Sequence, residues 1–139
     1  MHAISDFCSN LFYLWIEGCE FNGASVESLL TKNRFIKYVY ISDINAIDLC
    51  KSKEAKSRIS ETHSHVRELI IHGKTFTGYS AVEQIVTFYP DLRKLVLSPI
   101  NPTIQNDAIE IAFGKCRFLE TLKLNKKTIK RTDFVSHLK

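Results

Sequence analysis

The sequence predicts an α/β solenoid of about five strand–turn–helix units, with a parallel sheet on the concave face and helices on the convex face. Three observations carry that prediction. A short apolar template recurs five times at nearly constant spacing. An apolar triplet of helical spacing precedes three of those recurrences at one fixed offset. Finally, no single unit can bury its apolar face alone, so the units must stack.

The strands come first. Their template is apolar, two free positions, apolar, one free position, apolar. It reads Leu11/Leu14/Ile16, Ile36/Val39/Ile41, Val66/Leu69/Ile71, Leu92/Leu95/Leu97 and Leu119/Leu122/Leu124, with successive starts 25, 30, 26 and 27 residues apart. A single domain over 1–139 follows, with units starting near 11, 36, 66, 92 and 119. Side chains of a strand alternate between faces, so positions four and six point into the core while three, five and seven point to the concave surface.

The helices come next. Val26/Leu29/Leu30, Val82/Ile85/Val86 and Ile109/Ala112/Phe113 each begin ten residues ahead of the following strand. Spacing of i, i+3, i+4 places one apolar stripe on a helix facing the sheet. Ser80-Ala-Val-Glu83 reads as a capping box, and Asp107-Ala-Ile-Glu110 is a similar arrangement. The second unit departs from the pattern. Its helix slot, Lys56 to Ser60, keeps only Ile59, and an irregular polar linker is expected over 51–65.

The strand pattern assigns Tyr13, Trp15, Tyr38, Tyr40, His72 and Lys94 to the concave face, together with Glu17, Ser42, Glu68, Ile70, Val96, Ser98, Thr121, Lys123 and Asn125. Four aromatics cluster on the first two strands. Aromatic side chains exposed together anchor protein interfaces, because they bury large area at low entropic cost. Covering by a cap that extends the core is the alternative, since large apolar patches rarely stay open to water.

The net charge of +4 is unevenly distributed. From Lys115 to Lys139 eight Lys/Arg face two acids, whereas the other 114 residues carry eleven bases and thirteen acids. Lys123, Lys126, Lys127, Lys130 and Arg131 therefore form a basic end suited to an acidic partner or to RNA phosphates, or else a solvated terminal cap.

Catalytic chemistry is not expected. Cys8, Cys19, Cys50 and Cys116 show no CxxC pair or metal-ligand spacing, and read as reduced, packed thiols. His63-Ser-His65 offers half of a metal site with no third ligand at suitable spacing. No phosphate-binding glycine loop, Ser/His/Asp set or paired carboxylates appear, so neither a cofactor nor a small-molecule substrate is expected. The longest apolar run, Leu11 to Ile16, is far short of the roughly 20 residues of a membrane span. No secretory signal is visible, and an intracellular location, cytoplasmic or nuclear, is expected.

The template resembles the leucine-rich-repeat family, and the unit length is similar to its long, helix-containing, ribonuclease-inhibitor-like subclass. Leu14-Trp-Ile16-Glu-Gly-Cys19-Glu-Phe21 resembles the cysteine-containing branch found in F-box proteins. Lys74 and Lys127 replace that cysteine in the third and fifth units, while Phe76 and Ile129 keep the apolar position. Cys8 and Cys116 each stand three residues before a strand, as in that branch, with Tyr89 as a variant. An F-box-like segment ahead of the repeats is not expected, since the first strand begins by residue 11. The resemblance implies a binding module rather than an enzyme: an adaptor that holds another protein on its concave face. The alternative is a small structural subunit of a large assembly, such as a ribonucleoprotein, held partly by its basic C-terminal end.

Overall fold

The computed structural model describes residues 11–17, 29–44 and 63–137. Its core is one open sheet of six strands in sequential order: β1 (Tyr13–Glu17), β2 (Tyr38–Ile44), β3 (Glu68–Thr77), β4 (Lys94–Ile100), β5 (Thr121–Leu124) and β6 (Lys127–Lys130). The first five run parallel, and β6 turns back antiparallel to β5. Parallel neighbours need a crossover connection. Helix α1 (Tyr79–Phe88) supplies it between β3 and β4, and α2 (Gln105–Lys115), entered through a 3-10 turn at Pro102–Ile104, supplies it between β4 and β5. Helix α3 (Arg131–His137) follows β6, and residues 29–32 are helical ahead of β2.

The register follows the repeat. Tyr13 lies opposite Tyr38, Tyr38 opposite Glu68, Glu68 opposite Lys94, and Lys94 opposite Thr121, each being the third residue of its template. A one-residue slip would turn every core side chain to the other face, so the apolar alternation specifies this pairing strongly. Positions four and six are all buried: Leu14/Ile16, Val39/Ile41, Leu69/Ile71, Leu95/Leu97 and Leu122/Leu124. Against them pack Leu29 and Leu30, then Val82, Ile85 and Val86 of α1, then Ala108, Ala112 and Phe113 of α2. Each fully buried aliphatic side chain contributes about 1.5–3 kcal/mol relative to exposure.

One set of backbone bonds repeats from unit to unit. The N–H groups of Lys37, Arg67, Arg93 and Glu120 donate to the carbonyls of Phe12, Lys37, Arg67 and Arg93, at 2.9, 2.8, 2.7 and 2.9 Å. A second repeated feature lies three residues before the template starts at 36, 66, 92 and 119. Asn33, His63, Tyr89 and Cys116 occupy that position in units two to five, and all four are buried. The carbonyls of Asn33, His63 and Cys116 accept from the N–H three residues on, which turns the chain into the strand. The Cys116 thiol reaches the Tyr89 carbonyl at 3.5 Å, and the His63 ring lies 5.3 Å from that of Tyr89.

Several sequence expectations need correction. Ser80 does not cap α1: the helix already begins at Tyr79 behind Gly78, with no side-chain cap. Asp107 lies inside the first turn of α2, and the capping side chain of this region is Asn101, whose oxygen accepts from the Thr103 N–H at the 3-10 turn. The fifth unit is not strand–turn–helix. It is a β5–β6 hairpin followed by α3, with Ile129 of β6 buried. His63 to His65, placed in an irregular linker, instead form an ordered turn that starts the third unit. The rest of that linker, with Cys8, Cys19, Phe21, Val26 and Cys50, lies outside the described residues, as do the side chains of Lys74 and Phe76.

Candidate interaction surface

The sheet face opposite the helices carries a continuous aromatic row. Strand alternation turns Tyr13 and Trp15 of β1 away from the core formed by Leu14 and Ile16. Parallel pairing then sets Tyr13 beside Tyr38 and Trp15 beside Tyr40. Ring centroids are 5.9 Å apart for Tyr13–Tyr38, 4.3 Å for Trp15–Tyr40 and 6.3 Å for Tyr13–Trp15. His72 of β3 continues the row at 5.7 Å from Tyr40, and Phe12 adds an edge-on contact to Tyr38 at 5.4 Å. Stacked and edge-to-face pairs at such distances contribute about 0.5–1.5 kcal/mol beyond area burial, so the rings hold one another in place.

The row is stacked on itself but open to solvent. Trp15 is 57% exposed and Tyr13 49%. The Trp15 indole N–H is fixed by the Glu17 carboxylate at 3.2 Å. Beside the rings a shallow groove of about 360 Å³ is lined by Phe12, Tyr13, Tyr38, Glu68 and Ile70. Tyr38, Tyr40 and His72 are half-buried, as is Lys94 on β4.

Two residues expected on this face are not accessible. Val96 is buried because it sits in a central strand between Ile70 and Lys123, and its short side chain is overtopped by longer neighbours. Ser42 is covered in the same way between Glu17 and His72. Asn125 is also committed, since its amide binds the backbone of Ile100.

The basic C-terminal end divides by role. Lys123, Lys126 and Lys127 are exposed. The Lys130 ammonium donates to the Thr121 hydroxyl at 3.1 Å. Arg131 is a capping residue. Its guanidinium donates to the carbonyls of Leu119, Cys116 and Phe113 at 2.6, 2.7 and 3.2 Å, tying the C-terminus of α2 to the turn that enters β5. It also lies 5.1 Å from the Phe113 ring centroid. Cations at a helix C-terminus satisfy orphan carbonyls and oppose the helix dipole.

Titratable groups inside the fold are displaced by burial. The His63 imidazole is held down to about 4 by desolvation, then by the charges of His65 and Arg34. His65 is lowered to about 4 by desolvation and by Arg34, Lys37 and Arg67, which a contact with the Leu30 backbone only partly offsets. Burial pushes the Cys116 thiol up to about 11, which Arg131 only partly offsets. A thiol so protonated is a poor nucleophile. Among the described residues no three His, Cys, Asp or Glu side chains are grouped to hold a metal ion, and no helix is long and apolar enough to cross a membrane.

What sequence reasoning missed is the buried column before each strand. Cys116 and Tyr89 were visible in it, whereas Asn33 and His63 were not, although both stand three residues ahead of a template start. No family model, curated protein or solved structure matches this chain.

Proposed function

We propose that the chain is a leucine-rich-repeat solenoid that binds another protein through the open face of its sheet, with Tyr13, Trp15, Tyr38 and Tyr40 as anchors. The observation that carries this reading is the pre-stacked aromatic row, exposed on the side opposite the helices. A large aromatic side chain whose rotamer is already fixed loses little entropy on binding, which is the property of interface hot spots. His72 extends the row, and Lys94 and Lys123 on the next two strands add electrostatic steering toward an acidic partner. The strand register, the identical inter-unit hydrogen bonds and the buried column before each strand support the solenoid reading. They are what stacking of equivalent units produces.

The test is capture of partners by the tagged chain from extract of its native cells, after nuclease treatment, alongside a Trp15→Ala/Tyr40→Ala variant of unchanged fold. A protein captured by the first and lost by the second supports the reading. Equal capture by both overturns it.

A further inference from the structure

A second surface lies on the leading edge of the sheet, where the chain enters each strand. The repeated backbone bonds set Lys37, Arg67 and Arg93 side by side, because each residue's N–H donates to the carbonyl of the one before. Neighbouring strands are about 4.8 Å apart, so this is a row of cations on one line. Arg34 and Arg117, both exposed, occupy equivalent turns just ahead of β2 and β5.

Exposed phenylalanines are interleaved with these cations. Phe35 follows Arg34 and is 62% exposed, while Phe118 follows Arg117 and is 46% exposed. The guanidinium groups of Arg93 and Arg117 each lie 5.8 Å from the Phe118 ring centroid. Ile36 and Leu119, the residues that directly follow Phe35 and Phe118, are by contrast fully buried.

The acids on this edge answer the cations weakly. Arg67 meets Asp91 at 4.0 Å and Arg93 meets Glu120 at 3.6 Å, both between partly exposed side chains. Such surface pairs hold about 0–1 kcal/mol and give way to a better anion. His65, held down first by burial, also feels the charges of Arg34, Lys37 and Arg67 from this edge.

We infer that this leading edge binds single-stranded nucleic acid, with Arg34, Lys37 and Arg117 on the phosphates and Phe35 and Phe118 stacking on bases. A positively charged track with interleaved aromatic rings is what sequence-tolerant single-strand binding requires. A duplex would leave the rings unused, because its bases are already stacked. An acidic polypeptide would match the charges but give the ring faces no partner. The surface is distinct from the aromatic row on the sheet face and from the C-terminal lysines.

The experiment is fluorescence anisotropy with a labelled 20-nucleotide oligouridine at several salt concentrations, using the full chain. Binding in the micromolar range at about 50 mM salt is expected, as for other non-specific contacts. Arg34→Gln/Lys37→Gln/Arg117→Gln weakens it at least tenfold and flattens the salt slope by about two, at roughly 0.7 per lost phosphate contact. Phe35→Ala/Phe118→Ala weakens it about fivefold or more with the slope unchanged. Lys126→Gln/Lys127→Gln leaves it within twofold. In the complex the His65 ring titrates at higher pH by NMR. No binding by the native chain overturns the inference, as does equal displacement by polyglutamate, or loss of binding on changing Lys126 and Lys127 alone. If the triple variant fails to fold, Phe35→Ala alone decides, since its side chain is the most exposed of the set: unchanged affinity overturns the assignment.

Discussion

Asn125 holds the end of β4 by clamping Ile100 from both sides of its side-chain amide. Its Oδ1 accepts from the Ile100 N–H at 2.9 Å, and its Nδ2 donates to the Ile100 carbonyl at 3.0 Å. The same residue adopts φ 56°, in the left-handed region that asparagine tolerates better than most residues. One side chain therefore turns the β5–β6 hairpin and finishes the preceding strand.

Two substitutions separate these roles. Asn125→Gly removes both hydrogen bonds but accepts the backbone angle, and should lower stability by about 1–2 kcal/mol. Asn125→Ala loses the bonds and also strains the backbone, adding about 1 kcal/mol more. Urea unfolding of both variants checks the order, and alanine as the milder change would show that the left-handed geometry contributes nothing.

How much of this was legible in the sequence follows from what repeats. Leu95 and its four equivalents declare both the core face and the register, because a five-fold apolar column has one consistent alignment. Val96 was misplaced because strand alternation assigns a side but not the height of the neighbouring side chains. The β5–β6 hairpin was missed because its turn, Asn125-Lys126, lacks the glycine that marks most two-residue loops, and the repeat argued for a helix there. Asn33 and His63 were missed because they are polar in a column otherwise recognised by Cys and Tyr. Their burial depends on backbone hydrogen bonds that no apolar pattern reveals.

Arg131 should matter for stability through its fork geometry. Two carbonyls at the end of α2, of Phe113 and Cys116, and that of Leu119 in the turn before β5 accept from it, and Phe134 of α3 stacks on Phe113 at 4.9 Å immediately beside. Arg131→Ala should lower stability by about 2 kcal/mol, since the half-buried carbonyls lose charge-assisted donors. Arg131→Lys should recover less than half, because an ammonium cannot reproduce the fork. Thermal unfolding of the two variants beside Lys126→Ala checks this; equal, small effects in all three would make Arg131 an ordinary surface charge.

The buried Cys116 thiol predicts a reactivity test. With its sulfur packed against the carbonyls of Val86 and Tyr89 and its pKa pushed up to about 11, it should resist a maleimide reagent at pH 7 in the native chain. Labelling of this residue, located by peptide mapping, should accelerate at least a hundredfold in denaturant. Rapid native labelling would mean that α2 opens readily from the sheet.

The histidine pair sets an acid limit on the fold. His63 and His65 both have folded values near 4, below the ordinary 6.5, so the folded state excludes protons that the unfolded chain takes up. Stability from this source is fully present above pH 6.5 and is lost as pH falls from about 6.5 toward 4. For the deeply buried His63 alone the loss approaches about 2 kcal/mol at pH 4.5; the half-buried His65 adds less, because solvent screens it. The window from pH 7 to 5.5 isolates the effect, since carboxylates remain ionised there. Denaturant unfolding across that window should show a falling midpoint in the native chain and a nearly flat one in His63→Gln/His65→Gln. The double variant should be less stable than the native chain at pH 7.5, where neutral imidazoles pack best, and the gap should narrow at pH 5. Parallel pH profiles for the two chains would show that protons enter elsewhere in the fold first.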